Sequence, residues 1–451
     1  MKALVVLLCL GASLASAAKP TNILVIFADN MGYGDLGCYD CPDIKTPVID
    51  KLASEGVRFT NYYANGPECT PTRTAFFTGR YPARIKGLEC ALGSGNVGRY
   101  DHAFELAARK DLGLPPAKNT LVRLLKQKGY TAVGLGKWHL GYEPKFLPPK
   151  HGFDYFLAAL GGTMDYWYHN EPDGTPVLYE NNKRVKREGN ITELITAGAL
   201  KFLRERNKRQ PFFLYLPYTA PSAPLQHPDI KPKAPQRSRT WNSRDWQAGS
   251  RRDYGRLVER LDLSVGKVLA ELDRQGLRQN TLVIFASDNG GYDRARNAPF
   301  RGYTSELFDG GIHVPCMARW PGVLPKGVVS DRQFLTLDLT ASILRAAGIQ
   351  RPSGEDALDG IDILGSVARN EPVKKRPLFF RARRADRTWR AIRYGDLKYL
   401  TFRDSKRYDE YLFDLKADPS EKNNLFAARQ SDATRLRERL VKWEKRMQPG
   451  P

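Results

Sequence analysis

Two stretches of this 451-residue chain constrain its fold more than anything else in it: Asn22–Ala28 (NILVIFA) and Thr281–Ala286 (TLVIFA). Each is a continuous apolar run of strand length, the pattern of a strand buried on both faces of a helix-covered parallel sheet. Helical signals alternate with further runs of this kind. Thr46-Pro47 reads as the cap and first turn of a helix that stops at Gly56, and a strand pattern resumes over Val57–Tyr63. Thr120–Lys128 reads as a helix closed by Gly129, followed by a strand over Thr131–Leu135, and Pro211 precedes another run, Phe212–Leu216. Leu257, Leu261, Val265, Val268 and Leu272 recur at helical spacing up to Gly276. The alternation predicts an α/β fold with a mostly parallel sheet flanked by helices, over residues 18–348. After about Gly348 the texture changes. Trp389–Phe402 and Tyr408–Leu415 alternate in polarity, and Ser431–Met447 is a basic amphipathic stretch. Residues 349–451 are therefore expected to form a small α+β subdomain, an antiparallel sheet plus a helix.

Apolar residues make up 41% and charged residues 27%, which excludes a disordered, collagen-like or multi-span membrane chain. The 71 Lys and Arg outnumber the 49 Asp and Glu, giving a net charge of +22 and pointing to a polyanionic partner: nucleic acid, a membrane surface or an acidic polysaccharide. The N-terminus narrows this choice. Met1-Lys2, the apolar run Ala3–Leu14 and the small residues Ala15–Ala18 have the layout of a secretory signal peptide over residues 1–17. The alternative is a buried first strand or helix. No later stretch approaches the roughly 20 apolar residues of a transmembrane helix. A secreted or periplasmic protein without a transmembrane segment is expected, and export argues against a genomic or messenger nucleic acid partner. The basic clusters (Lys183–Arg187, Arg204–Arg209, Arg237–Arg252, Lys374–Arg384, Arg435–Arg446) are dispersed and read mostly as solvated faces. Thr219–Arg252, rich in Pro, Arg and Ser, reads as a long surface excursion.

Both apolar strands end in the same dipeptide, Asp29-Asn30 and Asp288-Asn289. Ligands of parallel α/β sheets bind outside the carboxyl ends of strands. Two such ends would bring together the carboxylate and amide oxygens that Ca²⁺ or Mg²⁺ requires; alternatively these residues merely cap loops or helices. Six cysteines are too few for a disulfide scaffold, although Cys38, Cys41, Cys90 and Cys316 allow up to two bridges. Asn190-Ile191-Thr192 is a glycosylation acceptor in a eukaryotic host.

Cys69-Thr70-Pro71-Thr72-Arg73, followed by Thr78-Gly79-Arg80, resembles the motif of the type I, formylglycine-dependent sulfatases, the arylsulfatase-like family. The resemblance continues in order through Gly32–Gly37, Gly136-Lys137-Trp138-His139-Leu140-Gly141 and Ser287–Gly290. It extends on to Gly310-Gly311, Arg319–Gly322, Leu358–Gly360, Phe413–Leu415 and Asp418-Pro419. It implies an alkaline-phosphatase-like fold and a sulfuric ester hydrolase acting on a sulfated carbohydrate or an aryl sulfate. It also implies that a formylglycine-generating or sulfatase-maturing enzyme oxidises Cys69. Hydrated formylglycine would offer one hydroxyl to attack sulfur and a second to expel sulfate. The family's metal ligands map onto Asp29, Asn30, Cys69, Asp288 and Asn289, with Ca²⁺ expected and Mg²⁺ as the alternative. Residue 69 is expected at the start of a helix, where backbone N–H groups favour an anion, with Arg73 one turn later. Lys137 and His139 would bind sulfate and handle the proton; two apart at a strand end, they point the same way.

Three positions depart from the family. Asn30 replaces the second Asp of the first metal dipeptide, which removes one negative charge. Ser222 stands where a catalytic His is usual, and Thr304 where a Lys contacts sulfate. Losing both should weaken hydrolysis of unactivated sugar sulfates, because an alkoxide leaves poorly without a general acid. Substrate-binding candidates are Lys137, Ser222, His227, Arg301 and Thr304, with His102, His169, His227 and His313 as substitutes for the missing imidazole. Gly87–Leu114, Tyr166–His169 and Gln236–Arg252 read either as pocket walls or as ordinary surface packing. Two other functions remain open at this point: a phosphate or phosphonate ester hydrolase of the same superfamily, and a weakly active or inactive binder of sulfated glycan.

Overall fold

The computed structural model describes residues 20–238, 244–372 and 375–447; the expected signal peptide, residues 1–17, lies outside them. Ten strands form one sheet, in the spatial order Val328–Ser330, Val57–Phe59, Cys316–Arg319, Thr281–Ser287, Asn22–Ala28, Phe212–Pro217, Thr131–Lys137, Tyr155–Ala159, Leu178–Glu180, Lys183–Arg184. The five from Thr281–Ser287 to Tyr155–Ala159 run parallel. We label four of these β1 (Asn22–Ala28), β2 (Thr131–Lys137), β3 (Phe212–Pro217) and β4 (Thr281–Ser287). Every residue of β1, β3 and β4 is buried, as their unbroken apolar runs require. Cys316–Arg319 and Leu178–Glu180 pair antiparallel with their inner neighbours, so the sheet is mostly rather than wholly parallel.

Helices cover both faces. On one, Cys69–Thr78 (α1) sets Phe76 and Phe77 against Phe27 of β1 and Tyr215 of β3. On the other, the 24-residue helix Arg251–Arg274 (α2) buries Leu257, Leu261, Val265, Val268 and Leu272 beside Leu24, Ile26 and Leu214. Each such side chain contributes about 1.5–3 kcal/mol by leaving water. A capping box starts α2 earlier than its apolar stripe suggests: Ser250 Oγ accepts from the Asp253 N–H at 3.2 Å, and Asp253 accepts from the Ser250 N–H at 2.9 Å. No helix among the described residues is long and apolar enough to cross a membrane.

Several expectations need correction. The run Val57–Tyr63 is two strands. Val57–Phe59 joins the main sheet, whereas Tyr62–Tyr63 pairs with Phe334–Leu335 in a separate two-stranded sheet. Thr60 N–H donates to Ser330 and Phe334 N–H to Asn61, so the backbone changes partner at the break. Trp389–Phe402 is likewise a hairpin, Arg387–Tyr394 and Leu397–Arg403, turning at Gly395 with φ +63°. The surface excursion over 219–252 is tied down at three described residues. Gln226 Nε2 and the Gln236 N–H both donate to Asp165 Oδ2, at 2.7 and 2.8 Å, and buried Trp246 donates to Thr163 Oγ1 at 3.0 Å. The five described cysteines are free thiols. Asn190 is buried and caps the helix Ile191–Glu205 by accepting from the Thr192 N–H at 2.9 Å, so its amide is not a surface acceptor for glycan.

The C-terminal strands Pro377–Arg384, Arg387–Tyr394, Leu397–Arg403 and Tyr408–Asp414 form an antiparallel sheet in that order. Helix Gln430–Met447 packs on it through Leu436, Leu440 and Trp443, whose ring stacks on Phe379 at 4.9 Å. This core continues into Leu307, Phe308, Leu335 and Leu337 of the larger layer. One ion cluster crosses the seam. Lys398 Nζ lies 2.6 Å from Asp309 and 2.8 Å from Glu421, all three buried. Removing the ammonium would strand two carboxylates in a dry interior. Lys398→Met should therefore cost about 3–5 kcal/mol in denaturant unfolding. Lys145→Met, which breaks an exposed pair with Asp111, should cost no more than about 1 kcal/mol; similar losses for the two would contradict this reading.

Candidate active site

The site is built at the carboxyl ends of β1, β2 and β4. β1 and β4 are parallel neighbours with Ala28 opposite Ser287, so Asp29 and Asp288 emerge side by side. The Asp288 N–H donates to Ala28 O at 3.1 Å, and the Asn30 N–H donates to Asp288 Oδ1 at 3.2 Å. Lys137 is the last residue of β2. Its ammonium donates to both oxygens of Asp29, at 2.8 and 2.7 Å, and to Cys69 Sγ at 2.9 Å. Cys69 is the first residue of α1, and its thiol lies 3.2 Å from Asp29 Oδ1. Arg73, one turn on, donates to Asp288 Oδ2 at 2.8 Å, to Lys137 O at 2.9 Å and to Tyr215 Oη at 3.2 Å. All four charged side chains are fully buried, and the two carboxylates are matched by two cations.

Burial sets the chemistry of this cluster. It pushes Asp29 up to about 6, with Lys137 pulling the other way. Burial also works against the charged form of Asp288, but Arg73 and Lys137 outweigh it and hold that carboxyl below its ordinary value. Burial, then the charges of Asp288 and Asp29, drive the Cys69 thiol well above its usual range. As cysteine, then, residue 69 is a protonated thiol and a poor nucleophile at neutral pH. Burial and the Lys137 charge hold His139 well below its usual value, so its ring is neutral. Its Nε2 lies 3.0 Å from the Leu92 carbonyl, which can only accept, so Nε2 carries the hydrogen and Nδ1 keeps its lone pair. His139 and Asn30 both adopt left-handed backbone, φ +55° and +60°, at the turns that aim them inward.

The donor set fits a hard divalent cation. One ligand atom each from Asp29, Cys69 and Asp288 lie within 4.8 Å of one another. Asn289 Oδ1 is buried with no hydrogen-bond partner among the described residues, an orphan that a cation would satisfy. Asn30 Oδ1 is adjacent, 2.5 Å from Asn289 Nδ2. Gly290 lets this loop close on its neighbour, since a Cβ there would meet Gly310 O at 1.9 Å. Asn at position 30 leaves one carboxylate fewer to balance a cation while keeping a carbonyl oxygen there.

A cleft opens over Cys69, lined by Asn30, His139, Ser222 and Thr304, with Ala91, Leu92, Ser94 and Arg99 from the segment over 87–114. The two substituted positions are neutral and already engaged. Ser222 Oγ accepts from Asn30 Nδ2 at 2.8 Å, and Thr304 Oγ1 makes a short hydrogen bond to Gly290 O. The structure does not bring the other candidates here. His227 Nδ1 accepts from the Asp229 N–H, while Arg301 donates to Glu421 O and covers the Phe308 ring. His169 is turned to Gly189 O, His313 to Asp309 and Thr60, and His102 lies on an exposed helix. Of the aromatic run, Tyr166 supports the cleft from behind by donating to Ser222 O at 2.8 Å. Tyr215 and Glu68 escape sequence reasoning, whereas Arg99 lies within the segment 87–114 named there as a pocket wall. Tyr215 is the one polar side chain in an apolar strand, a signal that was available; nothing local marks Glu68.

A family model described as Sulfatase matches residues 21–349, and one described as N-sulphoglucosamine sulphohydrolase, C-terminal, matches residues 305–446. N-acetylgalactosamine-6-sulfatase of Mus musculus is 34% identical over 398 residues, 84% of this chain and 72% of the relative. Arylsulfatase A of Bos taurus is 31% identical over 93% of this chain and 85% of its own. The crystal structure of Ps i-CgsB in complex with k-i-k-neocarrahexaose superposes with a TM-score of 0.80 at 30% identity, covering 94% and 93% of the two chains. Phosphonate monoester hydrolase of Agrobacterium radiobacter shares the alkaline-phosphatase-like fold, with a TM-score of 0.66 at 18% identity over 95% and 96% of the chains. Carrying the Cys69 site on that fold and matching over most of its length, the chain belongs to the sulfatase family of sulfuric ester hydrolases.

Proposed function

We propose that this chain is an exported sulfatase that removes sulfate from a polysaccharide or glycosaminoglycan, with Cys69 matured to formylglycine and Ca²⁺ (or Mg²⁺) held by Asp29, Asn30, residue 69, Asp288 and Asn289. The observation that carries the reading is the placement of Cys69. It sits at a helix N-terminus between two carboxylates, where a thiol is a poor nucleophile yet a hydroxyl-bearing side chain would face Lys137 and the cleft. Relatives named for action on N-acetylgalactosamine sulfate, and a neighbour bound to a carrageenan oligosaccharide, support a carbohydrate substrate.

The cation would add Lewis-acid charge against the sulfate oxygens. Formylglycine would supply, as its hydrate, an attacking hydroxyl and a second hydroxyl whose loss restores the aldehyde. The remaining work falls to the chain's own groups. Lys137 places positive charge within 2.9 Å of residue 69, and the first N–H groups of α1 favour an anion at the same point. Arg73 neutralises Asp288 and, through Lys137 O, fixes the end of β2. His139 lines the cleft with Nδ1 unprotonated, the chain's own imidazole available to accept a proton there.

Neutral Ser222 and Thr304 favour a second reading, a weakly active or inactive binder of sulfated glycan. Turnover of nitrophenyl sulfate against nitrophenyl phosphate, with sulfated oligosaccharides in parallel, separates the possibilities. Sulfate release with little phosphate release is expected. A strong phosphate preference would identify a phosphate or phosphonate ester hydrolase, and binding without any turnover would leave only the binder. Restoring both family side chains, Ser222→His with Thr304→Lys, should raise turnover of a simple aryl sulfate by about a hundredfold, the lower end of the range for a positioned acid. No gain would show that another group, with His139 first in line, already delivers the proton.

A further inference from the structure

Two of the three departures from the family pattern touch each other, and the third joins them through one residue. Asn30 Nδ2 donates to Ser222 Oγ at 2.8 Å, and Asn289 Nδ2 donates to Asn30 Oδ1 at 2.5 Å. Asn289 Nδ2 also donates to Gly290 O at 2.9 Å and lies 3.5 Å from Thr304 Oγ1, whose own hydrogen goes to the same Gly290 carbonyl. The direction of this row of bonds is fixed from its far end. Gly290 O can only accept, so the Asn289 amide turns its NH₂, and not its oxygen, toward Gly290 and Asn30. Asn30 then accepts through Oδ1 and must donate through Nδ2, which makes Ser222 Oγ the acceptor. The hydroxyl hydrogen of Ser222 is left with no acceptor among the described residues. Its backbone is held on both sides: the Ser222 N–H donates to Thr219 O at 3.0 Å, and Ser222 O accepts from Tyr166 Oη at 2.8 Å. Ser222 is only 7% exposed and lines the cleft together with Asn30 and Cys69. A buried donor without a protein acceptor, in a cleft wall, suits an acceptor that arrives with a ligand.

We propose, on the basis of the sulfatase reading, that Ser222 donates this hydrogen to an oxygen of the bound sulfate ester, and that Asn30 is the positioning residue that makes it a donor. An aspartate at position 30 would reverse the bond. A carboxylate has no hydrogen to give, so Ser222 would donate to it and present only lone pairs to the cleft. Asn30 and Ser222 therefore belong together. The amide offers its oxygen on the side it shares with Asn289 and its NH₂ to Ser222, two tasks that a carboxylate cannot perform at once. The place where the family carries an imidazole is thus not vacant: it holds a neutral hydrogen-bond donor to the ester in place of an acid.

The test is calorimetric binding to the full chain carrying Cys69→Ala in saturating Ca²⁺, which needs no turnover, with N-acetylgalactosamine 6-sulfate and inorganic sulfate as probes. Ser222→Ala should weaken binding of the sulfated sugar about tenfold, the loss of a hydrogen bond to a charged acceptor, while Ser222→Thr keeps most of the affinity. A loss shared by inorganic sulfate assigns the acceptor as a terminal sulfate oxygen, and a loss confined to the sugar assigns it as the bridging oxygen. Asn30→Asp should tighten Ca²⁺ in a separate titration without probe, yet weaken the sugar. Ser222→Ala added to Asn30→Asp should then cost little more, because the hydrogen is already withdrawn from the cleft. Unchanged sugar affinity in Ser222→Ala, or a full tenfold loss when it is added to Asn30→Asp, would overturn the proposal. So would a fall in melting temperature with additive effects on affinity, the signature of a purely structural pair. Failure of the sulfatase reading is read separately, as no sulfate release by the unsubstituted chain while the dependence of binding on Ser222 persists.

Discussion

Two carboxylates and two cations, all buried, surround one thiol, and the rest of the structure is organised to make that tolerable. Ionised side chains in a dry interior each cost several kcal/mol unless paired and hydrogen-bonded. Here Asp29 is paired by Lys137 and Asp288 by Arg73, while Arg73 also ties to the backbone of Lys137. The parallel register of β1 and β4 sets the two acids abreast, β2 delivers the lysine, and α1 delivers both Cys69 and Arg73. Losing any one member strands a charge beside the others, so the cluster acts as a unit. A net-neutral quartet also leaves room for a divalent cation and an incoming anion without extreme net charge.

Much of this was legible beforehand. The repeated strand-plus-Asp-Asn pattern marks the two strand ends, because a strand buried on both faces must be apolar until it leaves the sheet, and only then can a carboxylate appear. The spacing of Lys137 and His139 places both on one side of an extended end, and Cys69 to Arg73 is one helical turn. The break at Thr60-Asn61 was not legible, since its cause is a change of backbone partner supplied by residues 330–334. The role of Glu68 was hidden for the same reason: it depends on Arg384, far away in the chain.

The charge excess also looks different in the fold. Part of the basic cluster Lys374–Arg384, expected as a solvated face, is consumed by pairing, as is Arg390 outside it. Arg381 meets Glu89, Arg384 meets Glu68 and Arg390 meets Glu444, and the first two tie the C-terminal sheet to the segments that wall the cleft. The small sheet therefore shapes the site from outside, in addition to completing the core around Leu307 and Phe308.

The central claim is that this quartet exists to hold an oxidised residue 69. Mass spectrometry of the tryptic peptide spanning residues 59–73, from protein made in a host that matures sulfatases, tests it directly. The account predicts the mass of the aldehyde form or its hydrate. An intact Cys69 thiol throughout the population, in a host whose own sulfatases are converted, would contradict it.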